Sequence, residues 1–101
     1  MLTKIVYSGV KATSTTGFNF TAAELGGTGI QDNPGHQVYI WCDAVVRISA
    51  PGRTAGQGCS IGLSKLTHIG NAPNATTLLI SSASATPDVR YMIADGYVTG
   101  I

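Results

Sequence analysis

The stretch from Gln37 to Ala50, QVYIWCDAVVRISA, alternates between two sets of side chains for fourteen residues, and nothing else in the chain restricts the fold as much. In an extended backbone Val38, Ile40, Cys42, Ala44, Val46 and Ile48 share one side, while Tyr39, Trp41, Asp43, Val45, Arg47 and Ser49 share the other. A helix would instead set Asp43 and Arg47 on the stripe beside Tyr39 and Val46. The strand reading therefore wins. Its first side is an ordinary core face. Its second mixes Tyr39, Trp41 and Val45 with Asp43 and Arg47, which predicts partial cover by a loop, a second sheet or a neighbouring subunit. Fourteen residues exceed the usual strand length, so a bulge or bend is expected near Asp43.

Punctuation on either side supports the same class. Gln31-Asp32-Asn33-Pro34-Gly35 is a turn signal, because proline presets one turn dihedral and glycine accepts another. Pro51 to Gly58 has the length of an exposed hairpin loop. Cys59 to Thr67 alternates again, with Gly62 placed to leave a notch for an aromatic such as Trp41 or Tyr39, and Thr76 to Ser82 is β-branched and apolar. The turn before that strand spans Asn71 to Asn74. Val89, Tyr91 and Ile93 form a third alternating set, and Asp95-Gly96 after them is a two-residue hairpin signal that would send Tyr97 to Ile101 back beside Arg90 to Ala94. The first third predicts a strand to about Lys11 and a short one from Phe18 to Thr21. Thr21-Ala22-Ala23-Glu24 has capping-box spacing, but Gly26-Gly27 limits any helix to one turn. Seven or eight strands with no room for crossover helices predict an all-β fold. The expected form is an antiparallel β-sandwich, jelly-roll-like, in a single domain spanning residues 1–101.

Few residues invite chemistry. Cys42 and Cys59 would lie about seven residue pairs apart along a simple hairpin, roughly 24 Å at the usual strand rise, too far for a bridge. A buried, free Cys42 is favoured, and Cys59 stays open. His36 and His68 supply no metal-ligand spacing and read as solvated or edge histidines. Glu24, Asp32, Asp43, Asp88 and Asp95 do not pair in sequence; Asp43 and Arg47 lie too far apart along one strand for a direct bridge. Gly52 to Gly58, GRTAGQG, lacks the Lys-Ser/Thr ending and following helix of a phosphate loop. The two Asn-x-Thr triplets, at Asn19 and Asn74, read as coincidence in a threonine-rich chain. No catalytic residue, cofactor or metal is expected, and the chain is not read as an enzyme.

Composition bears on partners. Only 11% of the 101 residues are charged and the net charge is +1, with the six basic residues scattered singly, so no basic stripe tracks a phosphate backbone and direct nucleic-acid binding is not expected. Gly, Ala, Ser and Thr fill 44 positions, which leaves a thin core and an uncharged, hydroxyl-rich surface. Assembly with copies of itself would supply the missing burial. Tyr39, Trp41, Tyr91 and Tyr97 are read as filling a protected sheet face or a subunit seam, where aromatics are enriched, and with less weight as a platform for sugar rings. With Asp43, Arg47 and Arg53 they are the candidate interface or ligand contacts. No stretch reaches the ~18 apolar residues of a membrane span. Met1 to Tyr7 does not read as a secretory signal, so production in a host cytoplasm is expected.

In texture the chain resembles virion accessory proteins and tail-fibre tip domains of tailed bacteriophages, short β-only units rich in glycine and threonine. Val45-Val46-Arg47-Ile48-Ser49-Ala50-Pro51-Gly52 and Cys59-Ser60-Ile61-Gly62-Leu63-Ser64 exemplify the style. The resemblance implies a capsid decoration or tail-fibre component located in the virion. It further implies a homo-oligomer, trimer favoured, that contacts other virion proteins or a host surface glycan. It carries no individual residue role across.

Overall fold

The computed structural model describes residues 4–42, 45–49, 59–60, 66–82 and 88–98. In chain order the strands are β1 (Ile5–Ala12), β2 (Gln37–Trp41), β3 (Val46–Ser49), β4 (Cys59–Ser60), β5 (Thr67–Asn71), β6 (Leu79–Ser82) and β7 (Asp88–Ala94), with one short helix, α1 (Ala72–Ala75). They form a four-stranded sheet in the order β1-β7-β2-β5 and a three-stranded sheet in the order β4-β3-β6. Every pairing between these strands is antiparallel.

The long alternating run supplies a strand to each sheet. Val38, Ile40, Cys42 and Val46 are fully buried and Ile48 packs against them, so the alternation keeps one phase from β2 into β3. The position of the expected bend, Asp43, lies with Ala44 outside the described residues; β2 before them and β3 after them belong to different sheets. One hydrophobic cluster draws on both sheets: Val38, Ile40, Val89, Tyr91 and Ile93 from the larger, Val46 and Ile80 from the smaller, and Phe20 and Leu25 from the connection between β1 and β2. Each large aliphatic side chain buried there contributes about 1.5–3 kcal/mol relative to exposure.

Local signals set the connections. Thr21 Oγ1 accepts from the Glu24 amide at 3.2 Å and Glu24 Oε1 accepts from the Thr21 amide at 2.9 Å, a reciprocal capping box around a single turn. Gly26 then takes φ of +96°, which other residues resist, and ends the turn. At the Asn33-Pro34-Gly35 turn the His36 amide donates to the Asn33 carbonyl at 3.1 Å and the Gly35 amide to Asn33 Oδ1 at 2.8 Å. The expected turn at Asn71 to Asn74 is the end of β5 and the first turn of α1. Asn71 Oδ1 caps α1 by accepting from the Asn74 amide at 3.0 Å, with Pro73 in the first turn.

Three strand expectations are corrected. The strand expected from Thr76 starts at Leu79, because Thr76 is the C-cap of α1. Phe18 to Thr21 makes only a single bridge, in which Phe18 and Ile80 exchange backbone bonds of 2.8 and 2.9 Å. Ser14 Oγ captures the amides of Thr16 and Gly17 just before the segment, and the Thr21 amide at its end turns to Glu24 Oε1, so the ladder extends on neither side. Residues 14–19 still track the free edge of β6: the Ser82 amide donates to the Ser14 carbonyl at 3.1 Å and the Asn19 side chain to the Leu78 carbonyl at 2.8 Å. Asp95-Gly96 does not turn a hairpin, because β7 already lies between β1 and β2 and has no open edge. Asp95 instead holds the start of β1, donating its amide to the Lys4 carbonyl and accepting the Lys4 amide on its carboxylate, both at 2.9 Å.

The hairpin after β3 is present, with Ile48 opposite Cys59, one residue from the expected Ser49. Its loop, Ala50 to Gly58, and the Gly62 notch lie outside the described residues, and Thr67 belongs to the other sheet. Cys42 is buried and free, and Cys59 is exposed and free.

Gly9 in β1 sits opposite Tyr91 in β7, and the tyrosine ring lies across the glycine. A Cβ at position 9 would come 2.5 Å from Tyr91 Oη and 2.7 Å from its Cζ. The same hydroxyl donates to the Glu24 carbonyl at 2.5 Å, tying the capped turn to the sheet. Gly9→Ala is expected to lower stability by ~1–3 kcal/mol, and Tyr91→Phe by ~1 kcal/mol. Urea unfolding of the double variant should give less than the sum, since both changes break one contact.

Candidate functional site

Residues directly opposite one another in a sheet share a face. The register therefore assembles the side of the four-stranded sheet that points away from the core. One row holds Val10, Arg90 and Trp41; the next holds Ser8, Met92, Tyr39 and His68; the third holds Ile5, Ala94, Gln37 and Asn71. The Arg90 guanidinium lies 5.2 Å from the Trp41 ring centre, a cation–π contact on an open surface. Ile5 and Val10 are 55% and 61% exposed, and Trp41 and Met92 are half-buried.

Aromatic groups and the segment after β7 cover the middle of this face. The Tyr39 and His68 rings stand 5.0 Å apart, and Tyr97 meets His68 edge-on at 5.3 Å. His68 Nε2 donates to Gln37 Oε1 at 2.8 Å, and the Val98 amide donates to Tyr39 Oη at 2.8 Å. Tyr39 is consequently buried although it points away from the core, while Tyr97 is 68% exposed. The cover expected for this side thus comes from within the chain at Tyr39.

The seven sequence-selected residues separate accordingly. Tyr39, Trp41 and Tyr97 come together on the outer face. Tyr91 faces the core, its ring 4.8 Å from that of Phe20. Arg47 is exposed on β3 in the other sheet, and Asp43 and Arg53 lie outside the described residues. Tyr39 and Tyr91 are buried, so neither presents its ring to solvent. Sequence reasoning did not place Arg90, Gln37 or His68 at this face. The signal available for Arg90 was its phase: it alternates against Val89, Tyr91 and Ile93.

A second cluster lies on the inner side. Lys11 forms an ion pair with Glu24, and its ammonium sits 5.0 Å from the Phe18 ring centre. Burial pushes the Glu24 carboxyl up, but the Lys11 hydrogen bond and charge and two bonds from Thr21 outweigh it and hold the group below its ordinary value. Burial raises the Tyr91 phenol, with the neighbouring Tyr7 and Glu24 adding to the effect. Among the described residues no buried side-chain polar atom lacks a partner, and no three His, Cys, Asp or Glu side chains come together as metal ligands. No described helix is long and apolar enough to cross a membrane. The cluster is a fastener for the capped turn, and the outer sheet face is the candidate functional surface. Comparisons with protein-family models, with curated proteins and with solved structures found no match.

Two outcomes test this division. Tyr39→Phe removes the acceptor for the Val98 amide, so that amide should lose hydrogen-exchange protection, with a stability loss of ~1 kcal/mol. A carboxyl held below its usual value stabilises the fold above the unfolded pKa, and that contribution disappears as pH falls through the folded pKa. The advantage of wild type over Glu24→Gln, under about 1 kcal/mol for so accessible a pair, should be full at pH 7. It should shrink below the ordinary carboxyl value of 4.5, as read from urea midpoints across pH.

Proposed function

We propose that this chain is a non-enzymatic structural subunit of a virus particle, a capsid decoration or tail-fibre component made in the host cytoplasm that assembles with copies of itself. The two sheets are read as a β-sandwich of jelly-roll type. Its supporting feature is connectivity: β1-β7-β2-β5 in one sheet, and residues 14–19 beside β6, then β3, then β4 in the other. Two interlocked Greek keys produce that order, with residues 14–19 standing where an eighth strand belongs. Jelly rolls are recurrent in viral capsid and lectin domains.

The observation that carries the reading is the outer sheet face. Ile5, Val10 and Tyr97 are exposed there beside half-buried Trp41 and Met92, in a chain with 11% charged residues. A monomer with so few charges gains by covering such a surface. The resemblance in texture favours three copies and a virion setting. The second reading, a glycan- or receptor-binding module, rests on Trp41 and Tyr97, whose partly open rings lie on one face.

Sedimentation equilibrium and light scattering at micromolar concentration should return a multiple of 10.4 kDa. A folded, thermally stable monomer at every concentration would sink the assembly reading. A change in Trp41 fluorescence on a glycan panel, in a chain that remains monomeric, would favour the second.

A further inference from the structure

We propose that copies of this chain join through β1, edge to edge and antiparallel about a two-fold axis, so that two four-stranded sheets become one of eight strands. This rests on the self-assembly reading above but narrows its contact to the β1 edge of that face, where Ile5 and Val10 stand and from which Trp41 is remote, and assigns it a symmetry. Two sheets have four edges. Residues 14–19 lie along the β6 edge through backbone bonds from Phe18 and Ser14. Within the described residues, β4 offers only Cys59–Ser60, too short a template. On the remaining edge of the larger sheet, β5 is a five-residue strand with a register shift against β2, and its end runs directly into α1.

β1 is different. It is eight residues long, and from Tyr7 to Ala12 its pairing with β7 runs without interruption, leaving a regular row of N–H and C=O groups on its other side. Among the described residues no backbone group occupies that side. Such a row accepts another strand unless it is blunted by proline, charge, brevity or a bulge. β1 contains no proline and one charge, Lys11, which Glu24 neutralises within the same chain, and its register shift is confined to the Ile5 end. Ile5 and Val10 stand exposed beside it.

The occupant follows from the count of open edges. With one long uncovered edge among the described residues, the complementary edge available from a copy is β1 itself, and a surface that pairs with itself closes as a two-fold dimer. A two-fold centred on Gly9 sets Lys11 opposite Tyr7, and one centred on Val10 sets it opposite Gly9. Either keeps the two lysines off one another, and side chains of one face stay together across the seam. The symmetry departs from the threefold order that the resemblance favours.

The test combines mass with amide exchange on the full chain. In a free edge strand alternate amides exchange quickly. In the paired dimer all amides from Tyr7 to Ala12 should be protected, with a mass of twice 10.4 kDa. A Ser8→Lys, Val10→Lys double variant places like charges on both sides of the seam at exposed positions. It should return a monomer with unchanged circular dichroism, at least ten-fold weaker association and fast exchange at alternate β1 amides. Trp41→Ala, on β2 away from the edge, should leave the dimer intact. A wild-type chain monomeric at all concentrations overturns both this proposal and the assembly reading. A trimer overturns the two-fold edge but leaves assembly standing. So does an oligomer that the lysine pair leaves intact, that Trp41→Ala disrupts, or that leaves alternate β1 amides fast.

Discussion

The phase of alternation that β2 and β3 share is the constraint on which the rest depends. Because side chains alternate with a period of two, a slip of one residue at the crossing would turn Val46 outward and bring its neighbours in. Keeping Val38, Ile40, Cys42 and Val46 in one interior requires the chain to pass from one sheet to the other without losing step. Once it does, the core has two walls. β7 can enter the middle of the larger sheet and place Val89, Tyr91 and Ile93 against both.

The two faces of the larger sheet solve different problems. Inside, a large ring must fit between a strand and a capped turn, and the absence of a side chain at Gly9 provides the room. Tyr91 then reaches the Glu24 carbonyl, while Lys11 holds the Glu24 carboxylate, so one turn is fixed by a backbone and a side-chain anchor at once. Outside, the segment after β7 crosses over Tyr39, whose large ring gains by burial while its hydroxyl finds a partner. That arrangement ends with the Val98 amide on the Tyr39 hydroxyl, which satisfies a backbone donor that has no strand partner in the sheet.

What the sequence disclosed follows the range of the forces involved. The alternation of β2, β3 and β7, the capping box and the Asn-Pro-Gly turn are local, and each appears where its residues predict it. Long-range competition was not legible. Asp95-Gly96 has good hairpin chemistry, but a hairpin requires a free edge on β7, and β1 and β2 from far upstream take both. The Phe18 segment reads as a strand by composition, yet the Thr16 and Gly17 amides before it go to Ser14 and the Thr21 amide at its end goes to Glu24. Within the candidate surface, the alternating run put Tyr39 and Trp41 together on one side. It gave no sign that His68 would stack on the former, with Tyr97 edge-on to that histidine, while Arg90 covers the latter. Those partners lie on other elements, and only register brings them into a row.

Sparse charge connects the fold to the proposed assembly through the management of sheet edges. A soluble β protein usually protects its open edges with lysine, proline or deep bulges. This chain has few charges to assign to that task, and the one on β1 is drawn inward by Glu24. The β6 edge is covered with backbone from residues 14–19, a solution that uses no charge. The same logic applied to β1 calls for backbone from somewhere, and among the described residues the chain supplies none. A second copy presents the same unpaired row in the opposite direction, and the joining would satisfy both rows together. On this view low charge, hydroxyl-rich texture and an unguarded edge strand are one property: a sheet whose last hydrogen-bonding neighbour belongs to another subunit.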